Sequence, residues 1–192
     1  MENKQITGED LYKLNSLSDN NSDIVCWGNL FDENELKDII EQCEDLIFEQ
    51  KENNKCMIRF DNEFGETLFK KISTLIKKVN EEHFNFDLDG IEPNLLYIDK
   101  DENDKENWEN NFASSISLQR KLCFVLCLSE PEDYSSGEVI FYGPTNPDEP
   151  KYVSLDFGEI IVFPTYISHK IDNVVNGNLK FIKGFVVGKK FK

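Results

Sequence analysis

The side chains best suited to metal binding or nucleophilic chemistry are scarce in this sequence. It contains two histidines, His83 and His169, and five cysteines. Cys123 and Cys127 are four residues apart in an apolar run, which places both on the same side of a strand. No third or fourth soft ligand lies near them, so we do not expect a tetrahedral zinc site. His83 falls in a helical region before the strands begin, where we expect it to pack or to be solvated.

His169 follows the turn at Phe163 and Pro164 and lies between Ser168 and Lys170. A single histidine after a tight proline turn is often a hydrogen-bonded loop residue. A neutral imidazole is also a common metal ligand, but a ligand role requires partner residues elsewhere in the chain. Both interpretations remain open from the residues alone.

The chain length limits the number of domains, and the net charge limits the kinds of partner. A chain of 192 residues can form one domain with a substantial core. Its formal net charge of −16 comes from 37 acidic and 21 basic residues, with much of the excess in segments 32–52 and 99–109. Such a surface repels nucleic acid and anionic membranes, so we expect neither as a partner. We interpret the charge as a source of solubility; attraction to a basic protein surface is the alternative.

The expected compartment is the cytoplasm. The sequence has no run of 18 apolar residues, and its polar beginning, MENKQITGED, is unlike a signal peptide. Without a secretory signal, the cysteines are expected to be reduced and largely buried. The chain is rich in Asn, Lys, Asp, Glu and Ile and poor in Arg and Ala, which is typical of AT-rich genomes. A viral protein, in a virion or in host cytoplasm, is therefore one form of this expectation.

Two amphipathic helices are predicted before the strands that carry the candidate site residues. Residues 1–22 are polar and predict a loosely held arm. Asp32 followed by Glu35 forms a capping-box pattern at the start of a helix over about 32–50. Apolar residues at helical spacing predict a second helix over about 66–83.

From residue 84 the pattern changes to alternation, which indicates strands separated by turn signals such as DYSSG, GPTNPDEP and VNGN. We predict strands at 24–31, 56–60, 91–99, 121–129, 138–143, 152–157, 159–165, 169–175 and 179–188. Two helices followed by many short strands favour an α+β, mainly β barrel with the helices against one face.

Three segments resemble, in order, the prolyl 4-hydroxylase-like (PKHD-type) branch of the 2-oxoglutarate/Fe(II)-dependent oxygenase superfamily. They are NEEHFNFDLDGIEPNLLY (80–97), RKLCFVLCLSEPEDYSSGEVIFYG (120–143) and GEIIVFPTYISHKIDNVVNGN (158–178). The resemblance implies a double-stranded β-helix, jelly-roll or cupin-like, with its core at about 91–188. It also implies a single domain over 23–192 with the N-terminal helices packed against one sheet.

The resemblance also implies a metal centre. The family holds Fe(II) with two histidines and a carboxylate, leaving positions for 2-oxoglutarate and oxygen. Trp108 aligns with a family tryptophan, after which a histidine and an aspartate are expected. Glu109 and Asn111 occupy those two positions, and His169 alone matches the family triad. One imidazole, one carboxylate and one amide would hold a hard cation weakly and Fe(II) poorly.

The cosubstrate positions are altered as well. An arginine normally pairs with the distal carboxylate of 2-oxoglutarate, and Leu179 stands at its position. Tyr97 matches a family tyrosine that lines the cosubstrate pocket. Lys183 has the parity of Leu179 and could reach inward, although its neighbour Gly184 favours a solvated lysine. Aspartates at 99, 101 and 104 would supply a metal ligand only if their loop folded inward.

These replacements make us expect a degenerate, non-catalytic pseudoenzyme no longer dependent on a cofactor, with a binding or structural role toward a protein partner. Viral assembly or host interaction is one form of that role. The alternative is an active dioxygenase with shifted ligands, using Fe(II) and 2-oxoglutarate to hydroxylate a protein or peptide side chain. A third hypothesis is that the acidic surface mimics nucleic acid or blocks a basic partner.

Overall fold

Two helices cover one face of the protein in a computed structural model, which describes residues 24–105, 107–109, 119–142 and 149–189. Helix α1 spans Glu33–Gln50, and α2 spans Glu63–Val79 with a π-helical turn after it at Asn80–Phe84. The predicted arm at 1–22 lies outside the described residues. Neither helix in the described part of the chain is long and apolar enough to cross a membrane.

The start of α1 confirms the predicted capping box. The Asp32 carboxylate accepts hydrogen bonds from the backbone N–H groups of Asn34 and Glu35, and the Glu35 carboxylate accepts one from the Asp32 N–H at 2.9 Å. Helix α2 begins earlier than predicted, because Asn62 caps it through a 2.7 Å hydrogen bond from the Gly65 N–H. An asparagine cap followed by a glycine in the first turn gave a weaker sequence signal than the apolar stripe further along.

The described residues form twelve strands. They are β1 (Val25–Trp27), β2 (Lys55–Arg59), β3 (Leu88–Ile91), β4 (Asn94–Lys100), β5 (Arg120–Cys127), β6 (Tyr134–Ser136), β7 (Val139–Tyr142), β8 (Lys151–Val153), β9 (Ile160–Pro164), β10 (Ser168–Ile171), β11 (Val174–Gly177) and β12 (Leu179–Gly188). Within this part of the chain the large sheet has the order β1-β9-β5-β12-β4-β2, with β3 also paired to β12. The smaller sheets are β10-β7-β8 and β11-β6.

Side-chain alternation along the large sheet separates two apolar cores. One face carries residues such as Leu122, Phe124 and Ile182, which pack under the two helices. The other carries residues such as Val125 and Phe181, which pack against the smaller sheets inside the barrel. This second core is the interior of a double-stranded β-helix, so the predicted fold class is confirmed.

The cysteines follow this division, with one exception. Cys123 and Cys127 both face the barrel interior, as their spacing predicts. Cys43 and Cys56 are buried on the helix side, and all five cysteines are free. Cys26 differs from the expectation because it is exposed on the edge strand β1.

Candidate functional site

His169 lies inside the barrel on β10, which pairs with β7. Its side chain is 1% exposed, and its ring packs edge-on against Phe163 with centroids 4.6 Å apart. The Nδ1 atom is 3.0 Å from the carbonyl oxygen of Ile167. Since a carbonyl only accepts, Nδ1 carries the proton and the lone pair is on Nε2. No hydrogen bond reaches that buried Nε2 from the residues that the structure describes.

Glu109 is held opposite His169 by the backbone. The Glu109 N–H donates to the His169 carbonyl oxygen at 2.8 Å, and the His169 N–H donates back at 3.1 Å. This isolated antiparallel bridge brings the Glu109 Oε2 atom to 3.9 Å from the His169 Nε2 atom. The structure therefore brings together two of the three predicted triad positions. The third, Asn111, lies outside the described residues.

Lys183 enters the same site from β12. Its ammonium donates to the Glu109 Oε2 atom at 2.7 Å, and its side chain is only 6% exposed. The expectation of a solvated lysine is therefore wrong. Lys183 shares the interior face of β12 with Leu179 and Phe181, as its parity allows. The glycine beside it, Gly184, does not mark a surface: a Cβ there would lie 2.4 Å from the Phe124 Cζ atom, so this glycine permits close packing on the helix side.

The pKa values of the three groups follow from this arrangement. Burial alone raises the pKa of Glu109, but the charge and hydrogen bond of Lys183 outweigh it, and the pKa lies below its ordinary value. Burial, followed by the charge of Lys183, lowers the pKa of His169 to about 4. Near neutral pH the site thus holds a carboxylate, an ammonium and a neutral imidazole.

Fe(II) does not fit this set of donors well. Of the described residues, His169 and Glu109 are the candidate ligands, and no group of three His, Cys, Asp or Glu side chains forms a metal site. The Glu109 oxygen nearest to the imidazole is already bonded to an ammonium, whose positive charge opposes a dication. The three loop aspartates are bonded elsewhere: Asp99 accepts from the Asn178 amide at 2.8 Å, Asp101 from the Asn103 N–H at 2.7 Å, and Asp104 from the Asn54 amide at 2.6 Å.

The interior around Leu179 is filled by apolar side chains. Leu179 is 4% exposed and packs among residues including Ile171 and Phe181, around a cavity of only about 10 Å³. The turn before it is fixed by Gly177, which has a φ of +80° and approaches the Asp133 carbonyl closely. The position expected to hold the cosubstrate arginine is therefore part of a packed core.

Tyr97 differs from the expectation. It lies in the core between the large sheet and the helices, together with Cys43 and Cys56, on the face opposite to His169. Because side chains alternate along β4, Ile98 and Lys100 both lie on the face opposite to Tyr97, and Ile98 packs in the barrel interior. Tyr97 is thus a core aromatic residue and does not line the barrel.

Sequence reasoning missed Lys100, which is fully buried and pairs across the sheet with Leu179. Its ammonium donates to the Ile171 carbonyl oxygen at 3.0 Å. A cation thus lies on the strand next to the altered arginine position. The predicted strand ends at residue 99, so the sequence pattern leaves Lys100 outside it; the structure extends β4 to Lys100.

Sequence comparison finds PKHD-type hydroxylases. One from Janthinobacterium sp. (strain Marseille) is 31% identical over 96 residues, which make up 50% of this chain and 34% of that protein. One from Herminiimonas arsenicoxydans is 37% identical over 65 residues, or 34% of this chain and 28% of that protein. The chain thus spans about a third of the length of the curated relatives it matches. No family model matches it.

Comparison of folds finds oxygenases of the same architecture. A prolyl 4-hydroxylase from Pseudomonas putida matches with a TM-score of 0.70 at 11% identity, covering 86% of this chain and 92% of that one. A 2OG-Fe(II) oxygenase family oxidoreductase from Burkholderia pseudomallei gives 0.64 at 14%, covering 98% and 93%. The viral collagen prolyl hydroxylase of Paramecium Bursaria Chlorella virus-1 gives 0.64 at 11%, covering 99% and 96%. The predicted resemblance is confirmed: this chain is similar in sequence to PKHD-type hydroxylases and has the double-stranded β-helix fold of the 2-oxoglutarate/Fe(II) oxygenases.

Proposed function

We propose that this chain is a non-catalytic descendant of the oxygenase fold that acts as a binding module for a protein partner. One observation carries the proposal: the Lys183 ammonium lies 2.7 Å from the Glu109 carboxylate, beside the His169 imidazole. In an oxygenase a metal dication supplies the positive charge between such ligands. Here the Lys183 ammonium supplies it, so the negative charge of the Glu109 carboxylate is compensated without a metal.

The packing around Leu179 supports the same proposal. A dicarboxylate needs a cationic fork and space, and Leu179 provides neither within a cavity of about 10 Å³. Lys100 is positive but donates to a backbone carbonyl oxygen. A protein partner is proposed because the net charge of −16 repels nucleic acid and anionic membranes. A viral assembly or host-interaction role is one form of this function.

An anaerobic titration with Fe(II) and 2-oxoglutarate tests the proposal. An active prolyl 4-hydroxylase, titrated in parallel, provides the positive control for the weak visible charge-transfer band. We expect no band from this protein at micromolar concentrations of either component. A clear band with micromolar affinity would refute the non-catalytic assignment.

One observation favours an active dioxygenase as the second candidate. The buried His169 Nε2 atom accepts no hydrogen bond from the described residues and faces the Glu109 carboxylate at 3.9 Å. A metal ligand presents its lone pair in this way. This candidate hydroxylates a protein or peptide side chain and predicts 2-oxoglutarate-dependent succinate release that His169→Ala abolishes. Turnover that survives His169→Ala would remove this site from the reaction.

A further inference from the structure

We propose that the groove between α1 and α2 binds a basic segment of a partner protein, one that carries an apolar side chain flanked by lysine or arginine. The groove has a volume of about 450 Å³, within the range of roughly 300–1,000 Å³ that is usual for ligand sites. It lies on the helical face and shares no residue with the site around His169. The proposal therefore holds whether or not the barrel binds a metal.

The floor of the groove is apolar and continuous with the core. Phe31, Ile39 and Leu68 form it and are each less than a tenth exposed, while Phe64 is partly buried at one side. A side chain inserted from outside would contact these groups and leave water on burial. The groove is thus suited to anchor an apolar residue of a partner.

The rim of the groove is acidic. Glu35, Asp38 and Glu63 line it, and the nearby Lys71 pairs with Glu35. The side chains of Asp38 and Glu63 make no hydrogen bond or ion pair with the residues that the structure describes. An apolar floor with two uncompensated carboxylates on its rim is complementary to an apolar residue between cations.

The charge around the groove decides between possible occupants. Helix α1 carries seven carboxylates and a single lysine, and α2 carries two carboxylates and four lysines. Nine carboxylates against five lysines leave the two helices with a net charge of −4, so the field around the groove attracts cations and repels anions. The chain's own residues 1–23 contain five acidic residues and two lysines, which argues against them as the occupant. A second copy of a chain with net charge −16 is repelled in the same way. A basic segment of another protein is the occupant that the charges favour.

The probe for this groove is a labelled peptide with one leucine between two lysines on each side, measured by fluorescence anisotropy against the full chain. Two further peptides replace its leucine by serine or its lysines by glutamate. The groove variant is Asp38→Asn with Glu63→Gln. Its control, Glu81→Gln with Asp89→Asn, removes the same charge from exposed positions elsewhere. Thr67→Trp fills the groove without changing the charge. Circular dichroism establishes that each variant is folded.

We expect the lysine-leucine probe to bind, and both other peptides to bind more weakly. The groove variant should weaken binding about tenfold, the control less than about twofold, and Thr67→Trp should weaken it without a change in charge. Equal losses in the groove and control variants would show diffuse attraction to net charge and overturn the proposal. So would no binding, tighter binding of a peptide comprising residues 1–23, or a self-association that Thr67→Trp abolishes.

Discussion

The ion pair between Glu109 and Lys183 is open to a direct test by removing each partner alone and both together. Glu109→Gln deprives a lysine that is 6% exposed of its counter-charge. Lys183→Met instead leaves a carboxylate whose side chain is 43% exposed and can be hydrated. The two single variants are therefore expected to differ in cost, although they break the same contact.

Removing one partner of a fully buried ion pair costs about 3–5 kcal/mol. Because water reaches Glu109, we expect about 2 kcal/mol for Glu109→Gln and about 1 kcal/mol or less for Lys183→Met. In the double variant a methionine faces an amide and no buried charge remains. Its loss should be about 1 kcal/mol, which gives a coupling energy of about 1–2 kcal/mol between the two positions.

Urea unfolding at pH 7.5, followed by circular dichroism, measures these differences. The control is the ion pair between Lys180 and Glu44, whose Nζ and Oε1 atoms are 2.6 Å apart. Lys180 lies on the face of β12 opposite to Lys183. That pair is exposed, so its coupling should be at most about 0.5 kcal/mol. Additive losses for Glu109 and Lys183, or a smaller loss for Glu109→Gln than for Lys183→Met, would refute the buried ion pair.

Three further predictions concern the barrel. The pKa of His169 is lowered to about 4, below the unfolded value of about 6.5, so the contribution of this residue to stability is complete above about pH 6.5 and falls by up to about 3 kcal/mol toward pH 4. The difference in the free energy of unfolding between the wild type and His169→Gln, measured in urea across that range, should therefore depend on pH. A constant difference would contradict this prediction. Gly177→Ala should destabilise by at least about 2 kcal/mol, because its Cβ would lie 1.9 Å from the Asp133 carbonyl oxygen at a φ of +80°; thermal unfolding near the wild-type midpoint would count against this. Leu179→Arg should lower the free energy of unfolding in urea by at least about 3 kcal/mol, because it buries a guanidinium next to Lys100. Calorimetry should detect no affinity of this variant for 2-oxoglutarate. A stable variant that binds 2-oxoglutarate would show that the interior can open.

Local patterns in the sequence predicted the elements well. The capping box at Asp32 and the apolar stripe of α1 depend on residues three or four positions apart, and such contacts form within one helix. The strand at 179–188 was predicted with the bounds of β12 because turn residues precede it. The predicted strand at 169–175 divides into β10 and β11, which pair with different partners. That division depends on tertiary pairing, which no local pattern specifies.

The candidate site was predictable only in part, for a physical reason. His169 and Leu179 were placed by short spacing from a proline turn and a glycine, and both face the barrel. The sequence pattern favours a solvated Lys183, which is wrong, because a lysine beside a glycine resembles a surface turn. Gly184 is instead required by its contact with Phe124 on the other side of the sheet. Its parity with Leu179 places Lys183 on the interior face of β12. Its partner Glu109 lies 74 residues earlier in the sequence, and only the folded structure identifies that contact.

The charges of the site support the proposed non-catalytic role. A barrel mouth lined by a histidine and carboxylates is stabilised by a dication, and loss of that cation leaves uncompensated negative charge. In this chain Lys183 gives one positive charge, Glu109 one negative charge, and His169 none, because its pKa lies at about 4. The three described groups sum to zero near neutral pH, and the apolar packing around Leu179 closes the space beyond them. The ion pair and the filled interior are therefore two separate observations behind the proposal that this barrel holds neither a metal nor 2-oxoglutarate.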